Sequence, residues 1–542
     1  MTQTWLLQPL AEELKIDPSR LEPDTAFQDY GVDSIMLAQL LSRINRRLAE
    51  ELEPTVLFEY PSAESLAAWL VRTYPAKLAK AVESPESRRP DMAAAGRQRS
   101  RAAGVYRERG PKRRRNGADL ADIAVVGLSC RFPGADSAEE YWKMLSEGKS
   151  AIGPVPFERW GYFSDFYAGM LDDIVSYDPS YFLIPEADAK AMDPQALLVL
   201  EESLKLLYAA GYSAQEIKGK PVGVYLGARS RHQPGEASLQ LTRNPIVAIG
   251  QNYLVANISQ FFDLRGPSVV VDTACSSALV GMNMAVQALQ AGDIEAAMVG
   301  GASLLTTDEA HRIFEQRGIL APGRDFHLFD RRAGGVVLGE GTGMVLLKTV
   351  EQAIADGDRI YAVLKGLAIN NDGRTAGPAT PNIQAQKEVL QTALLKSGRK
   401  PEDISYIETN GSGTTVTDLL ELKAIQAVYR SAGGAPLGLG SMKPNIGHPL
   451  CAEGIASFIK VVLMMQHKRF VPFLSGQEAM NHYDMTGSPF YFCRESSSWI
   501  GSPRIAAINC FADGGTNAHA ILEEWAQPDG ERVVRRPIPL PH

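Results

Sequence analysis

The stretch VDTACSSALVGMNMAVQAL, residues 271–289, runs from the end of an apolar strand into a helix rich in small residues, with Cys275 at the turn. A helix N-terminus offers free N–H groups and a partial positive potential, so a cysteine placed there is expected to ionise more readily than a free thiol. Such a thiolate is a strong nucleophile toward thioesters. A buried structural role suits Cys130, Cys493 and Cys510 better than it suits Cys275. A strand followed by a turn and a helix is also the unit from which layered α/β domains are assembled.

Working outward, the apolar runs IAVVGL, PVGVYLG, AAMVGGASLL, GMVLLK, IAAINCF and AHAILEE alternate with longer helical stretches from about residue 120 to 525. That alternation predicts helices packed on sheets. The glycines of GEGTG, residues 339–343, lack the GxGxxG spacing and lead into the strand MVLLK, so they do not read as a dinucleotide loop. A second candidate loop is IETNGSGTTVTD, residues 407–418, whose Gly, Ser and Thr bring backbone close to a ligand. Its leading side chain is Asn410, an amide that neither serves as a general base nor carries charge near neutral pH.

The chain has 542 residues, 45% hydrophobic and 22% charged, enough for more than one packed domain. A net charge of -8 argues against general nucleic-acid binding. The five cysteines, Cys130, Cys275, Cys451, Cys493 and Cys510, form no CxxC pair. They point away from a disulfide framework or a metal site and toward a reducing cytoplasm. The start MTQTWLLQPLAEELK lacks a secretory pattern, and IASFIKVVLMMQ, short and interrupted by Lys460, is not expected to span a membrane.

Residues 1–78 read as helical: Leu6, Leu7, Leu10 and Leu14 form one stripe, Ile35, Leu40, Leu41, Ile44 and Leu48 a second, and SLAAWLVRTY a third helix. Residues 79–118 are rich in Arg, Ala, Gly and Pro and read as a flexible linker, about 35 Å in root-mean-square span. Its run Lys112, Arg113, Arg114, Arg115 reads as solvated rather than as a nucleic-acid patch. The α/β domain is assigned to 119–526 and a C-terminal tail to 527–542.

In GVDSIMLAQLL, Ser34 stands where a polar loop enters an apolar helix, which by itself describes an ordinary N-cap. That segment, followed by LFEYPSAESLAAWL, resembles an acyl carrier protein of polyketide synthases over essentially the whole first domain. The resemblance implies a small all-α four-helix bundle with 4'-phosphopantetheine attached covalently to Ser34, its thiol holding an acyl chain as a thioester. VDTACSSALV is similar to the nucleophile motif of β-ketoacyl synthases. IAVVGLSCRFPGA, AMDPQ, NNDGRT, SMKPNIGH and GGTNAHAILEE stand with it in family order between Ile123 and Glu524.

This second resemblance implies a thiolase-like fold of five αβαβα layers in two related halves, working as a homodimer. It implies no metal, nucleic-acid or membrane partner. One half would supply Cys275, the other the Asn410 loop and His448. Cys275 would take the acyl group from a carrier thioester, its oxyanion held by the backbone N–H groups of Cys275 and Phe511. His448 and Lys443, both in KPNIGH, would assist. In elongating relatives a malonyl unit then loses CO2, and two histidines stabilise the enolate that attacks the acyl-cysteine.

The sequence departs from that family pattern around this site. Where the family has H-G-T-G-T, this chain reads Asn410, Gly411, Ser412, Gly413, Thr414, and its G-D-P-I-E becomes Thr417, Asp418, Leu419, Leu420, Glu421. The family's S-F-G is Cys510, Phe511, Ala512; its N-R-I-S is Ala256, Asn257, Ile258, Ser259; its L-E-A-A-A-G is Pro449, Leu450, Cys451, Ala452, Glu453, Gly454. With Cys275 kept and a histidine absent, the expectation is a non-elongating, transacylating ketosynthase (KS0). It would belong to a modular polyketide synthase of the trans-acyltransferase type, a fragment of a longer assembly line with carrier and modifying domains as partners. An elongating enzyme in which Asn410 replaces the histidine and a catalytically silent carrier-docking scaffold are the rival readings.

Overall fold

The structure, a computed structural model, describes residues 6–7, 11, 21–27, 34–53, 55–82, 121–242, 245–377, 379–430, 435–526 and 534–540. The chain divides into two compact units, Met1–Leu120 and Ala121–His542.

The first unit is helical. Helix α1 spans Ser34–Leu48, α2 Val56–Glu59, α3 Ala63–Thr73 and α4 Pro75–Val82. Leu40, Ile44 and Leu48 recur at helical spacing along α1 and are buried, as are Leu66 and Leu70 of α3 and Leu6, Leu7 and Phe27. Ser62 starts α3 with a reciprocal cap: its Oγ accepts the Ser65 N–H at 3.2 Å, and Ser65 Oγ accepts the Ser62 N–H at 3.1 Å. Leu10, Leu14 and the Ile35 side chain lie outside the described residues, as does the linker from 83 to 120 with its Arg-rich run. Helix α4 continues through Val82, so the expected boundary at residue 78 falls inside a helix.

Eleven strands form the sheet framework of the second unit: β1 Ile123–Arg131, β2 Val222–Gly227, β3 Ser268–Val271, β4 Ala296–Ser303, β5 Gly341–Thr349, β6 Ala362–Asn371, β7 Tyr406–Glu408, β8 Leu437–Gly440, β9 Phe490–Phe492, β10 Ile505–Phe511 and β11 Thr516–Glu523. Their order is β9-β8-β7-β10-β11-β6-β1-β5-β4-β2-β3. The order contains a repeat. From β1 outward the pairings run antiparallel to β5, antiparallel to β4, parallel to β2 and parallel to β3. From β6 outward they run antiparallel to β11, antiparallel to β10, parallel to β7 and parallel to β8. The halves join where β1 and β6 pair antiparallel over Ile123–Val125.

The helices repeat in the same way. Helix α5, Pro194–Ala209, and α6, Tyr253–Phe262, cover the outer face of the first half. Helix α8, Ile383–Ser397, and α9, Thr415–Tyr429, cover the second. Between the halves lie α7, Ser277–Ala291, and α11, Glu453–His467, packed on each other and each touching strands of both. This is the thiolase-like αβαβα layering, and strand alternation builds it. In β1, Ile123 and Val125 face the central core while Ala124 and Val126 face the outer one, so both faces are apolar.

Among the described residues one helical stretch, Leu450–His467, is long and apolar enough to cross a membrane by length and composition. It is longer than the run read from the sequence, and 83% of it is buried in the central layer, which makes it a core helix. Residues 534–540 lie along this unit, the Arg535 N–H donating to Gly357 O at 2.8 Å and the Ile538 N–H to Tyr208 O at 2.9 Å.

Candidate active site

The repeat places two equivalent turns face to face. The turn from β3 into α7 carries Cys275. The turn from β8 into α11 contains the short helix α10, Lys443–Ile446, and His448. Ala274, just before the nucleophile, has a positive φ of 54°, a left-handed conformation worth about 1 kcal/mol of strain for a residue with a Cβ. The turn is held by its own side chains. The Ala274 N–H donates to Asp272 Oδ1 at 3.1 Å, Ser277 Oγ accepts the Thr273 N–H at 2.9 Å, and Arg229 grips Asp272 at 2.7 and 2.9 Å. Cys275 is thereby lifted ahead of the helix, its Sγ 3.2 Å from His448 Nε2.

Burial pushes the Cys275 thiol up, and Glu453 pushes it further; Lys443 acts the other way and is outweighed. The expected resting thiolate is therefore corrected: desolvation of the sulfur exceeds the stabilisation from the helix end, and Cys275 rests as a thiol. Burial, and then Lys443, holds His448 well below its ordinary value, so its imidazole rests neutral. A neutral Nε2 facing a thiol can take the proton as the sulfur attacks.

Lys443 is fully buried. Its Nζ donates to Asn410 O at 2.6 Å and Gly411 O at 3.1 Å and pairs with Glu453 Oε1 at 2.8 Å. Burial raises Glu453 to about 7 against the opposing pull of Lys443. Cys275, His448 and Glu453 offer ligand atoms within 4.8 Å of one another. The Lys443 ammonium already supplies the positive charge beside that carboxylate.

The Asn410 loop follows β7 and is held from below by α9. Glu421 accepts the N–H groups of Asn410 at 2.7 Å and Gly411 at 2.8 Å, and Asp418 accepts those of Ser412 at 2.7 Å and Gly413 at 3.2 Å. Gly413 has φ +71°, and a Cβ there would come within 2.5 Å of Gly335 O, so the tight return requires glycine. From the sequence Asp418 and Glu421 figured only as part of an altered motif; here they are the loop's anchors.

Asn410 is 4% exposed, and its Oδ1 accepts the Phe511 N–H at 3.0 Å. A backbone N–H can be met only by the carbonyl end of an amide, so this bond fixes which way the side chain faces. The Phe511 N–H, the expected oxyanion donor, is engaged by Asn410 in this resting site. Glu453 is the contributor that motif reading missed. Cys275 stands where two cavities meet. One, of about 180 Å³, is shared with His448, Asn410 and Phe511; the other, of about 190 Å³, is lined by Gln195, Phe314 and Cys451.

The repeated sheet, the elbow cysteine and the facing histidine have a counterpart among known families: residues 120–353 match "Beta-ketoacyl synthase, N-terminal domain" and residues 361–477 its C-terminal domain. The chain belongs to the β-ketoacyl synthase family. Residues 4–70 match "Phosphopantetheine attachment site", so a carrier domain, which bears 4'-phosphopantetheine covalently on a serine, precedes the ketosynthase. The oxazolomycin ketosynthase domain OzmH KS8 of Streptomyces albus JA3453 is 49% identical, with a TM-score of 0.65 over 78% of this chain and 98% of that one. The ketosynthase from module 6 of the bacillaene synthase of Bacillus subtilis 168 is 38% identical, with a TM-score of 0.70 over 75% of this chain and 72% of that one. Polyketide synthase PksL of Bacillus subtilis (strain 168) is 56% identical over 540 residues, 100% of this chain and 12% of PksL. Polyketide synthase PksN of the same organism is 33% identical over 568 residues, 96% of this chain and 10% of PksN. The chain therefore spans about a tenth of the length of these curated relatives. It is a carrier–ketosynthase pair homologous to modular polyketide synthases.

Proposed function

We propose that this ketosynthase moves an acyl chain from a carrier to Cys275 and on to a downstream carrier without lengthening it. The observation that carries the reading is the bond from the Phe511 N–H to Asn410 Oδ1. Asn410 stands where elongating relatives have a histidine. Its oxygen is committed, it has no proton to exchange, and its amide nitrogen reaches less far into the cavity than the distal nitrogen of an imidazole. Decarboxylation and enolate attack lose a donor there, while acyl transfer needs only the Cys275–His448 pair.

In that transfer His448 Nε2 accepts the thiol proton as Cys275 Sγ bonds to the thioester carbonyl carbon. The backbone N–H of Cys275 and, shared with Asn410 Oδ1, that of Phe511 are the proposed donors to the developing oxyanion. The carbon–sulfur bond of the donor then breaks, and His448 returns the proton to the departing thiol. Lys443 fixes the Asn410 loop from behind through two carbonyl bonds.

Ser34 is the proposed attachment residue. It opens α1, a helix of 15 residues. The arm supplies a thiol that carries the acyl group as a thioester. The proposal also includes domain limits near residues 82 and 121, a homodimer through the ketosynthase, whose strand β3 lies at the open end of the sheet, and a cytoplasmic, trans-acyltransferase setting. Five free cysteines support the cytoplasmic placement.

The test is incubation of the acyl-loaded protein with a malonyl-loaded carrier. Transfer of an unchanged chain supports the reading; robust appearance of a chain two carbons longer defeats it. A Cys275 that never gains acyl mass would favour the silent scaffold instead.

A further inference from the structure

We infer that Glu453 is a positioning residue for acyl transfer, orienting His448 through Nδ1 while anchoring Lys443. This rests on the reading that Cys275 accepts an acyl group. Glu453 opens α11 at 1% exposure, with Oε1 2.8 Å from Lys443 Nζ and Oε2 3.5 Å from His448 Nδ1. Neither that nitrogen nor Glu453 Oε2 has a hydrogen-bond partner among the described residues, so two buried, unpaired groups face each other at 3.5 Å. The need for one follows from the other side of the ring. Nε2 faces the Cys275 thiol at 3.2 Å and must keep its lone pair to accept the proton. In a neutral imidazole the hydrogen then sits on Nδ1, and a buried N–H requires an acceptor.

Glu453 supplies that acceptor and becomes more important as the reaction proceeds. When His448 takes the thiol proton it becomes an imidazolium flanked by the Lys443 ammonium, and only the Glu453 carboxylate offsets the two cations. A contact of 3.5 Å in the resting site is of the kind that shortens as charge develops. Because Lys443 also holds Asn410 O and Gly411 O, Glu453 links the α11 end to the Asn410 loop. The groups around it are Lys443, His448, Cys275, Cys451, Cys510 and, from β7, Glu408, whose own charge is paired with Lys460 at 2.6 Å.

The experiment uses the full chain as wild type, Glu453→Gln and Glu453→Asp. Two readouts are compared: loading of Cys275 from an acyl-pantetheine thioester by intact-protein mass spectrometry, and the pH profile of Cys275 alkylation by iodoacetamide. For Glu453→Gln the expected loading rate falls about 10- to 100-fold, the loss of one charge-assisted hydrogen bond. The alkylation midpoint moves to lower pH, because the anion that disfavours the thiolate is gone. A merely structural role would not drive the two readouts in opposite directions. Glu453→Asp is expected to recover part of the loading rate. Wild-type loading and an unshifted alkylation profile in Glu453→Gln overturn the inference; if that variant does not fold, an aspartate variant identical to wild type in both readouts does so. A wild-type chain that never loads defeats the acyl-transfer reading, while the alkylation shift still decides the action of Glu453.

Discussion

Replacing Asn410 by histidine should give this ketosynthase the step it is proposed to lack. The Nδ1 of an imidazole branches from Cγ as Oδ1 of the amide does, so it can accept the same Phe511 N–H that Asn410 holds at 3.0 Å. The distal Nε2–H is then directed into the cavity of about 180 Å³ shared with Cys275 and His448. Removing one preorganised oxyanion donor from an active site costs about 3 kcal/mol, and adding one should gain a comparable amount. That corresponds to an increase on the order of 100-fold in the rate of decarboxylative condensation. Loading of Cys275 should change little, because the Cys275–His448 pair is untouched. The assay is a single turnover of acyl-loaded protein with a malonyl-loaded carrier, quenched over time and read by mass. Elongation by the native protein at a rate equal to the histidine variant would refute the reasoning, since the amide would then already do the work of the ring.

Three further outcomes are expected. Ser34→Ala should abolish the mass gained from a phosphopantetheinyl transferase while leaving Cys275 able to load from a free acyl-pantetheine thioester; modification elsewhere would show up as a retained mass gain. Glu421→Ala leaves the N–H groups of Asn410 and Gly411 and the Asn509 amide without their acceptor. It should destabilise the ketosynthase by about 3–5 kcal/mol in urea unfolding, and a loss under about 1 kcal/mol would count against Glu421 as the loop's anchor. Burial and Lys443 hold His448 below 6.5, so the basic form persists as pH falls through that value. In the Glu453→Gln variant, which lacks the carboxylate that titrates at about 7, the residual loading rate should show no downward inflection near pH 6.5, and an inflection there would mean that His448 titrates normally.

The site was legible in proportion to how local each feature is. Cys275 and Asn410 stand at junctions that short apolar runs announce. The bond between the Phe511 N–H and Asn410 Oδ1 was not legible, because it joins residues 101 positions apart. The thiolate expectation failed for a related reason. A helix start is visible in sequence, but the burial of the sulfur and the nearby Glu453 that raise the thiol are not. Helix α4, Pro75–Val82, was not anticipated, because a proline opens it and the expected domain limit at residue 78 cut its sequence in two.

The alternation of strands and helices along the chain, and the loop-to-helix junctions that hold Cys275 and Ser34, are set by the sequence alone, because periodicity and turn chemistry act over a few residues at a time. The meeting of Cys275 with His448, 173 positions away, and of both with Glu453 exists only once two similar sheets close over a shared pair of helices. Burial then shifts each group's proton affinity, and no local pattern records how deep a side chain will lie.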